Sequence, residues 1–205
     1  MDTHRLPPQR TRTFGVRIHG RGGQGVVTAA ELLSVAAFLE GRHAQAFPSF
    51  GSERTGAPVV AYCRISDQPI RTREPIIEPH AVIIQDPTLL HQVPVFDGLR
   101  SDGYLLINSS RSFDELGLGD FVEQYRREQL QVVPATVFAV QLIGRPVPNA
   151  VLLGGFAALT GAVSLESVVA AIRGRFAGSL AEANVAAAQQ AFEFVHAERE
   201  EFQRA

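Results

Sequence analysis

A short β-type run, Phe14 to His19, passes straight into the glycine cluster Gly20-Arg21-Gly22-Gly23-Gln24-Gly25, and the cluster opens a long helical pattern at Val26. No other stretch limits the possible folds as strongly. Glycine tolerates positive φ and lets another backbone or a ligand approach closely. A helix that begins just beyond such a turn aims unpaired N–H groups and the positive end of its dipole at whatever sits there. Phosphate or carboxylate is the usual occupant. The six residues from Gly20 to Gly25 are therefore candidate ligand contacts. The spacing Gly20-x-Gly22-x-x-Gly25 also fits the dinucleotide fingerprint.

Two absences narrow that choice. All 19 basic residues are arginine. Without lysine, the turn cannot be a P-loop, which needs a lysine after its glycines to reach phosphate oxygens, and no Schiff-base lysine exists. A dinucleotide site needs an acidic residue at the end of the second strand to hold the ribose hydroxyls. Glu40 has about the right spacing, but it precedes Gly41 at the end of the helical pattern. The extended segment His43 to Phe50 carries no carboxylate.

A chain of 205 residues can bury one full core, and one domain spanning 14–205 is expected after a polar, basic arm over 1–13 broken by Pro7-Pro8. No apolar run is long enough for a bilayer, and the start lacks a secretory core, which points to the cytoplasm. The single cysteine, Cys63, excludes an internal disulfide and any cluster ligated by this chain alone. Net charge is −2, so nucleic acid is not an expected partner. The charge is uneven, with ten arginines against six acidic residues up to Pro75 and nine against fifteen thereafter. The glycine-rich part is thus the electropositive one, suited to an anionic ligand or an acidic subunit face, or simply to solvation.

Along the chain, Val26 to Leu39 reads as a helix with apolar positions at Val27, Ala30, Leu33, Ala37 and Phe38. Arg42 to Phe50 and Val59 to Ile65 read as extended pieces of a hairpin joined by the glycine- and proline-bearing loop Ser49 to Pro58. Ala81 to Asp86 is a nearly continuous apolar run, the mark of a strand buried on both faces, and Asp86-Pro87 ends it and caps a short helix over Leu89 and Leu90. Gly103 to Asn108 repeats that design, and Gln131 to Thr136 is a third such strand, entering a helix over Val137 to Ile143. Three further helices follow, Val151 to Leu159, Leu165 to Phe176 and Leu180 to Phe202, with Ser164 and Ser179 at expected N-cap positions. The order predicts an α/β fold: a mostly parallel, Rossmann-like sheet with helices on both faces, an antiparallel hairpin and a C-terminal helical tail. Ligands in such sheets sit beyond the carboxyl ends of the strands, which singles out the glycine turn, Asp86, Asn108 and Ser109.

The run His19-Gly20-Arg21-Gly22-Gly23-Gln24-Gly25-Val26-Val27-Thr28-Ala29-Ala30-Glu31-Leu32-Leu33, followed by Gln45-Ala46-Phe47-Pro48-Ser49-Phe50-Gly51-Ser52-Glu53-Arg54-Thr55-Gly56-Ala57-Pro58-Val59, resembles the gamma subunits of the 2-oxoacid:ferredoxin oxidoreductases. Gln85-Asp86-Pro87-Thr88-Leu89-Leu90, Pro148-Asn149 and Ser164-Leu165-Glu166 stand in the same order, so the resemblance spans about Phe14 to Phe192. The pyruvate type is the nearest, and the phenylglyoxylate enzymes are also similar. The resemblance implies a subunit that is inactive alone. It would work with alpha, beta and delta-type subunits in a coenzyme A-acylating oxidative decarboxylation of pyruvate or a related 2-oxoacid. Thiamine diphosphate, magnesium and [4Fe-4S] clusters would lie on those partners, with ferredoxin or another acceptor reached through them. The gamma domain itself would cover the active-site entrance and help receive coenzyme A.

The residues leave other readings open. The glycines can serve strand–helix packing or subunit approach instead of a ligand. In the second loop, Phe47, Phe50, Gly51, Glu53, Arg54 and Gly56 suit a subunit interface, because exposed glycine loops with aromatics make good contact surfaces. No metal spacing appears among the six histidines, His19 is most simply a packed strand-end residue, and no catalytic constellation stands out. A stand-alone NAD(P)- or flavin-dependent reductase and a purely structural assembly subunit are the alternatives. The missing strand-end carboxylate separates the first of them. Titrated with NADH or flavin, the full chain is expected to show no saturable fluorescence change, and a micromolar affinity for NADH would refute this.

Overall fold

The computed structural model describes residues 13–49 and 55–204. Six strands form one mixed sheet: β1 (Thr13–Arg21), β2 (His43–Pro48), β3 (Pro58–Ser66), β4 (Ala81–Ile84), β5 (Tyr104–Asn108) and β6 (Leu130–Val133). Their order across the sheet is β2-β3-β1-β4-β5-β6. β3 alone runs against the others; it pairs antiparallel with β1 and β2, while β1–β4, β4–β5 and β5–β6 are parallel. The hairpin is therefore present, and its second strand lies between β1 and β2. Most of the arm, together with Phe50, Gly51, Glu53 and Arg54, lies outside the described residues. Thr13, counted with the arm on composition, is the first residue of β1 and faces Ser66 of β3.

Helices cover the two faces unequally. On one face lie α1 (Val26–Leu39), α3 (Ala135–Ile143), α4 (Asn149–Thr160), α5 (Leu165–Arg175) and α6 (Gly178–Arg204). Their apolar residues join Val16, Ile18, Ala61, Cys63, Ile65, Ala81 and Ile83 of the sheet in one core. On the other face Val82, Ile84, Leu105 and Ile107 are covered by shorter pieces: a 3-10 turn at Pro87–His91, the one-turn helix α2 (Gly119–Val122) and the loops beside them. This follows from period two along each strand: successive side chains point to opposite faces, and β4 and β5 are apolar on both. No helix among the described residues is long and apolar enough to cross a membrane.

Two local expectations change. Phe38, placed on the apolar stripe of α1, is 69% exposed, while Val26, Ala29, Leu32 and Ala36 are buried. Small residues allow the helix to sit close to the sheet and turn its inner arc away from Phe38. Ser179 is not a cap, since α6 already begins at Gly178, whereas Ser164 does cap α5 by accepting a hydrogen bond from the Ser167 N–H at 3.1 Å.

The tightest packing is between α4 and α6. Ten of the twelve residues of α4 are buried. Gly154 lets the backbone of α6 come so close that a Cβ would stand 1.8 Å from the Ala188 carbonyl oxygen. Backbone on both sides cannot yield as a side chain does. Gly154→Ala is expected to cost about 3 kcal/mol in urea unfolding. Gly174→Ala, on α5 with no atom within 4 Å of the new Cβ, is expected to gain about 0.5 kcal/mol; equal effects from the two would overturn this account of the packing.

Candidate functional site

The sheet reverses direction of growth between β1 and β4. From β1 the chain runs outward through α1 towards β2 and β3, and from β4 it runs the other way to β5 and β6. The connection leaving β1 lies on the long-helix face and the one leaving β4 on the opposite face. Such a switch opens a crevice at the carboxyl ends of the two strands. The glycine turn leaves β1 there, and Asp86 leaves β4.

Each glycine of the turn has its own reason. At Gly20 a Cβ would meet Val26 Cγ2 at 2.6 Å and Gln85 Cβ at 3.2 Å, because α1 folds back directly over the strand end. Gly25, the N-cap of α1, has φ +71°, and its Cβ would fall 2.3 Å from Asn149 Nδ2 at the start of α4. Gly22 is stapled to the far side of the second loop: its N–H donates to the Ala57 carbonyl at 2.9 Å, and its carbonyl accepts from Gly56 N–H at 3.1 Å. Gly23 differs. It is exposed, has φ +93° and has no atom within 4 Å of the Cβ position.

Side chains then lock the turn to β4. Gln24 Oε1 accepts from Arg21 N–H at 2.8 Å, and Gln24 Nε2 donates to Asp86 Oδ2 at 2.8 Å. Arg21 Nε donates to the same oxygen at 3.1 Å. The remaining Arg21 nitrogens donate to the Gly56 carbonyl, Thr88 Oγ1 and Gln92 Oε1 at 3.0, 2.7 and 2.8 Å. Four of its five N–H donors are thus engaged within the chain. Asp86 Oδ1 meanwhile accepts from Thr88 N–H and Oγ1 and caps the 3-10 turn. Burial by itself raises the Asp86 pKa, but hydrogen bonds from Thr88 and Gln24, with the charge of Arg21, outweigh it and hold the carboxyl below its ordinary value.

Except for Gly56, the other expected residues stand apart from the turn. Asn108 is buried: its Nδ2 donates to the Gln85 carbonyl and to Thr136 Oγ1, and its Oδ1 accepts from Thr136 N–H. It braces β4, β5 and the start of α3. Ser109 lies farther out, on a groove of about 470 Å³ at the β6 edge with Arg111, Phe113, Arg127 and Phe194. Phe47 packs at a tilt against Tyr62 with ring centroids 5.2 Å apart, and the Arg64 guanidinium sits over its face. Gly56, with φ +82°, reaches the glycine turn through Gly22. His19 is buried with neither nitrogen hydrogen-bonded among the described residues; burial and then the Arg17 charge push its pKa down to about 3, so it is neutral. Glu40 Oε1 accepts from Ser164 N–H at 2.6 Å and anchors α5.

Sequence reasoning did not anticipate the Arg21–Gln24–Asp86 clamp. Its signal was present: a basic residue and an acid at the carboxyl ends of two apolar strands, which become neighbours only if those strands pair. Chemically, the arrangement offers the N-terminus of the 14-residue helix α1 beside an open glycine. Among the described residues no group of three or more His, Cys, Asp or Glu could hold a metal ion. Cys63 is fully buried, and burial pushes its thiol up to about 12.

Comparison with known proteins gives a consistent picture. A family model described as pyruvate ferredoxin/flavodoxin oxidoreductase matches residues 15–194. The chain is 47% identical to the pyruvate/ketoisovalerate oxidoreductases common subunit gamma of Pyrococcus abyssi, over 87% of this chain and 95% of that one. It is 45% identical to pyruvate synthase subunit PorC of Methanothermobacter thermautotrophicus, over 87% of this chain and 93% of that one. The crystal structure of pyruvate oxidoreductase subunit PORC from Thermotoga maritima superposes with a TM-score of 0.75 at 36% identity, covering 88% of this chain and 96% of that one.

Asp86 has a depressed folded pKa, so its stabilisation is present above the unfolded value near 3.8 and is lost as pH falls through the folded pKa. Asp86→Asn is expected to cost about 2 kcal/mol at neutral pH, the typical worth of a hydrogen bond to a charged group. In urea unfolding the gap between wild type and variant should close below about pH 4. A gap independent of pH would show that the charge on Asp86 contributes nothing to the clamp.

Proposed function

Because the chain belongs to the pyruvate ferredoxin/flavodoxin oxidoreductase family, we propose that it serves as the gamma subunit of a multisubunit, coenzyme A-acylating 2-oxoacid oxidoreductase. Its part is to cover the active-site entrance and to help receive coenzyme A. One observation carries the coenzyme A assignment. The N-terminus of α1 opens on Gly23, the one residue of the turn that is both exposed and free of neighbours around its Cβ position. Backbone N–H groups and the helix dipole there favour a phosphate or pyrophosphate. Arg21 contributes indirectly: with most of its donors spent on Asp86, Gly56, Thr88 and Gln92, it holds the shape of the turn.

The residues of this chain do not suit the other groups of the reaction. A lone thiol buried in β3 cannot ligate a [4Fe-4S] cluster, and no acidic set for a diphosphate-bound magnesium is found among the described residues. In this reading thiamine diphosphate, magnesium and the clusters belong to alpha, beta and delta-type partners, where they supply decarboxylation and electron transfer to ferredoxin or another acceptor. A relative described as common to pyruvate and ketoisovalerate oxidoreductases supports placing substrate choice outside this subunit. The 2-oxoacid is pyruvate or a related acid such as phenylglyoxylate, and the complex works in the cytoplasm. The reductase alternative is disfavoured by topology: antiparallel β3 takes the place beside β1 where the second strand of a dinucleotide fold would end, and β2, one strand farther out, carries no carboxylate.

Purification from the native cell tests the assignment to a complex: co-eluting subunits with thiamine diphosphate and iron–sulfur absorbance are expected, with no turnover by this chain alone. Gly23→Val tests the turn, since it forces a β-branched residue into positive φ and fills the open space. In the assembled complex coenzyme A affinity should fall about tenfold, equivalent to about 1.4 kcal/mol, with assembly intact. Unchanged affinity in a complex that falls apart would favour a purely structural role.

A further inference from the structure

At the opposite end of β1 from the glycine turn, about 25 Å along the strand, lies a small pocket that the family reading does not use. Its volume is about 190 Å³, and it is lined by Thr13, Arg64, Ser66, Gln68, Arg71 and Thr72, with Pro69 and Ile70 completing the wall. That is room for about six waters, or for a four-oxygen anion and part of its hydration shell. No lining residue is acidic. Asp67, the nearest carboxylate in sequence, turns away to pair with Arg42 at 3.2 Å.

The donors are what make it a site. Arg64 is 9% exposed, clamped by the Glu74 and Pro75 carbonyls through one terminal nitrogen and stacked over Phe47. Its other terminal nitrogen is buried without a hydrogen-bond partner among the described residues. A buried guanidinium nitrogen left in that state costs about 1–3 kcal/mol or more, so an acceptor brought against it would be stabilising. Ser66, 2% exposed, accepts from Gln68 N–H at 3.1 Å and from Thr13 Oγ1 at 3.5 Å, which leaves its own hydroxyl hydrogen to donate. Arg71 stands exposed at the rim and makes no ion pair among the described residues. Two guanidiniums, hydroxyls and an amide line the pocket, with the Glu74 carboxylate near Arg64 but not in the lining, and form a donor set for a small oxyanion.

We propose that this pocket binds a phosphate-class tetrahedral oxyanion, either inorganic phosphate or the terminal phosphoryl group of a larger molecule, between Arg64, Ser66 and Arg71. The assignment is independent of coenzyme A at the glycine turn, which lies at the other end of the sheet.

Isothermal titration of the full chain at matched ionic strength tests it, with inorganic phosphate, adenosine 3′,5′-bisphosphate and a short glutamate-containing peptide as probes. Saturable phosphate binding is expected, weakened about tenfold by Arg71→Ala, the loss of one charge-assisted contact, and abolished by Arg64→Met. Tighter binding of the bisphosphate with the same sensitivity also supports the site and identifies a phosphoryl group as the ligand. Arg64 is buried, so circular dichroism checks that its variant folds; Arg71→Ala and Ser66→Ala carry the test if it does not. Absent phosphate binding, binding that survives the Arg71 and Ser66 changes, or binding of the peptide alone would each overturn the proposal.

Discussion

The carboxylate of Asp86 joins the two halves of the sheet at the point where they diverge. Its Oδ2 takes Arg21 and Gln24 from the end of β1, and its Oδ1 takes Thr88 at the start of the next segment. A crevice between diverging connections is where an α/β sheet leaves backbone groups exposed, and here one partly buried acid bridges it. The same contacts reach the second loop, because Arg21 also holds the Gly56 carbonyl and Gly22 is bonded to Gly56 and Ala57. The glycine turn, the second loop and the end of β4 thus form one unit. This has a chemical consequence. The positive charge nearest the turn is spent on shaping it, so attraction for an anion rests on backbone N–H groups at the start of α1.

The two faces of the sheet follow different packing rules. On the long-helix face, small residues such as Ala29, Ala36, Gly154, Ala187 and Ala188 bring backbones close, and the core is close-packed. On the opposite face, the β1 and β3 positions carry Arg17, His19, Tyr62 and Arg64 instead of aliphatic residues. Arg17 and Arg64 satisfy themselves partly on loop carbonyls, and His19 stays neutral. The hydrogen bonds of both arginines go to carbonyls while the Asp97 and Glu74 carboxylates lie nearby, so that half of the sheet carries buried positive charge without direct ion pairs to it. A chain with no lysine depends on arginine for this, since guanidinium is less strongly hydrated and forks its donors.

Much of the fold was legible in the sequence. The apolar runs at Ala81 and Tyr104 announced buried strands, the 3.6-residue period announced α1 and the C-terminal helices, and Asp86-Pro87 announced its cap. Where reasoning failed, a local signal was overruled by packing. Phe38 has the right period for the core but projects from the solvent-facing arc, because alanines set how α1 lies on the sheet. Ser179 has the right chemistry for a cap but stands one residue inside α6. Asn108 does stand at a strand end, as expected, and its amide also braces the start of α3 there.

By itself, the sequence determined the strand–glycine–helix unit, the lack of lysine and of a second-strand carboxylate, and the paired motifs that mark the family. Each is a property of residues close together in the chain or simply absent from it. Only the tertiary structure decided that β3 inserts between β1 and β2, that Arg21 meets Asp86 across 65 positions, and that Arg64 and Arg71 border one pocket. Strand order and side-chain proximity depend on which register buries the most apolar surface while pairing every backbone group. That balance is struck by the whole core at once, so no local window of residues contains it.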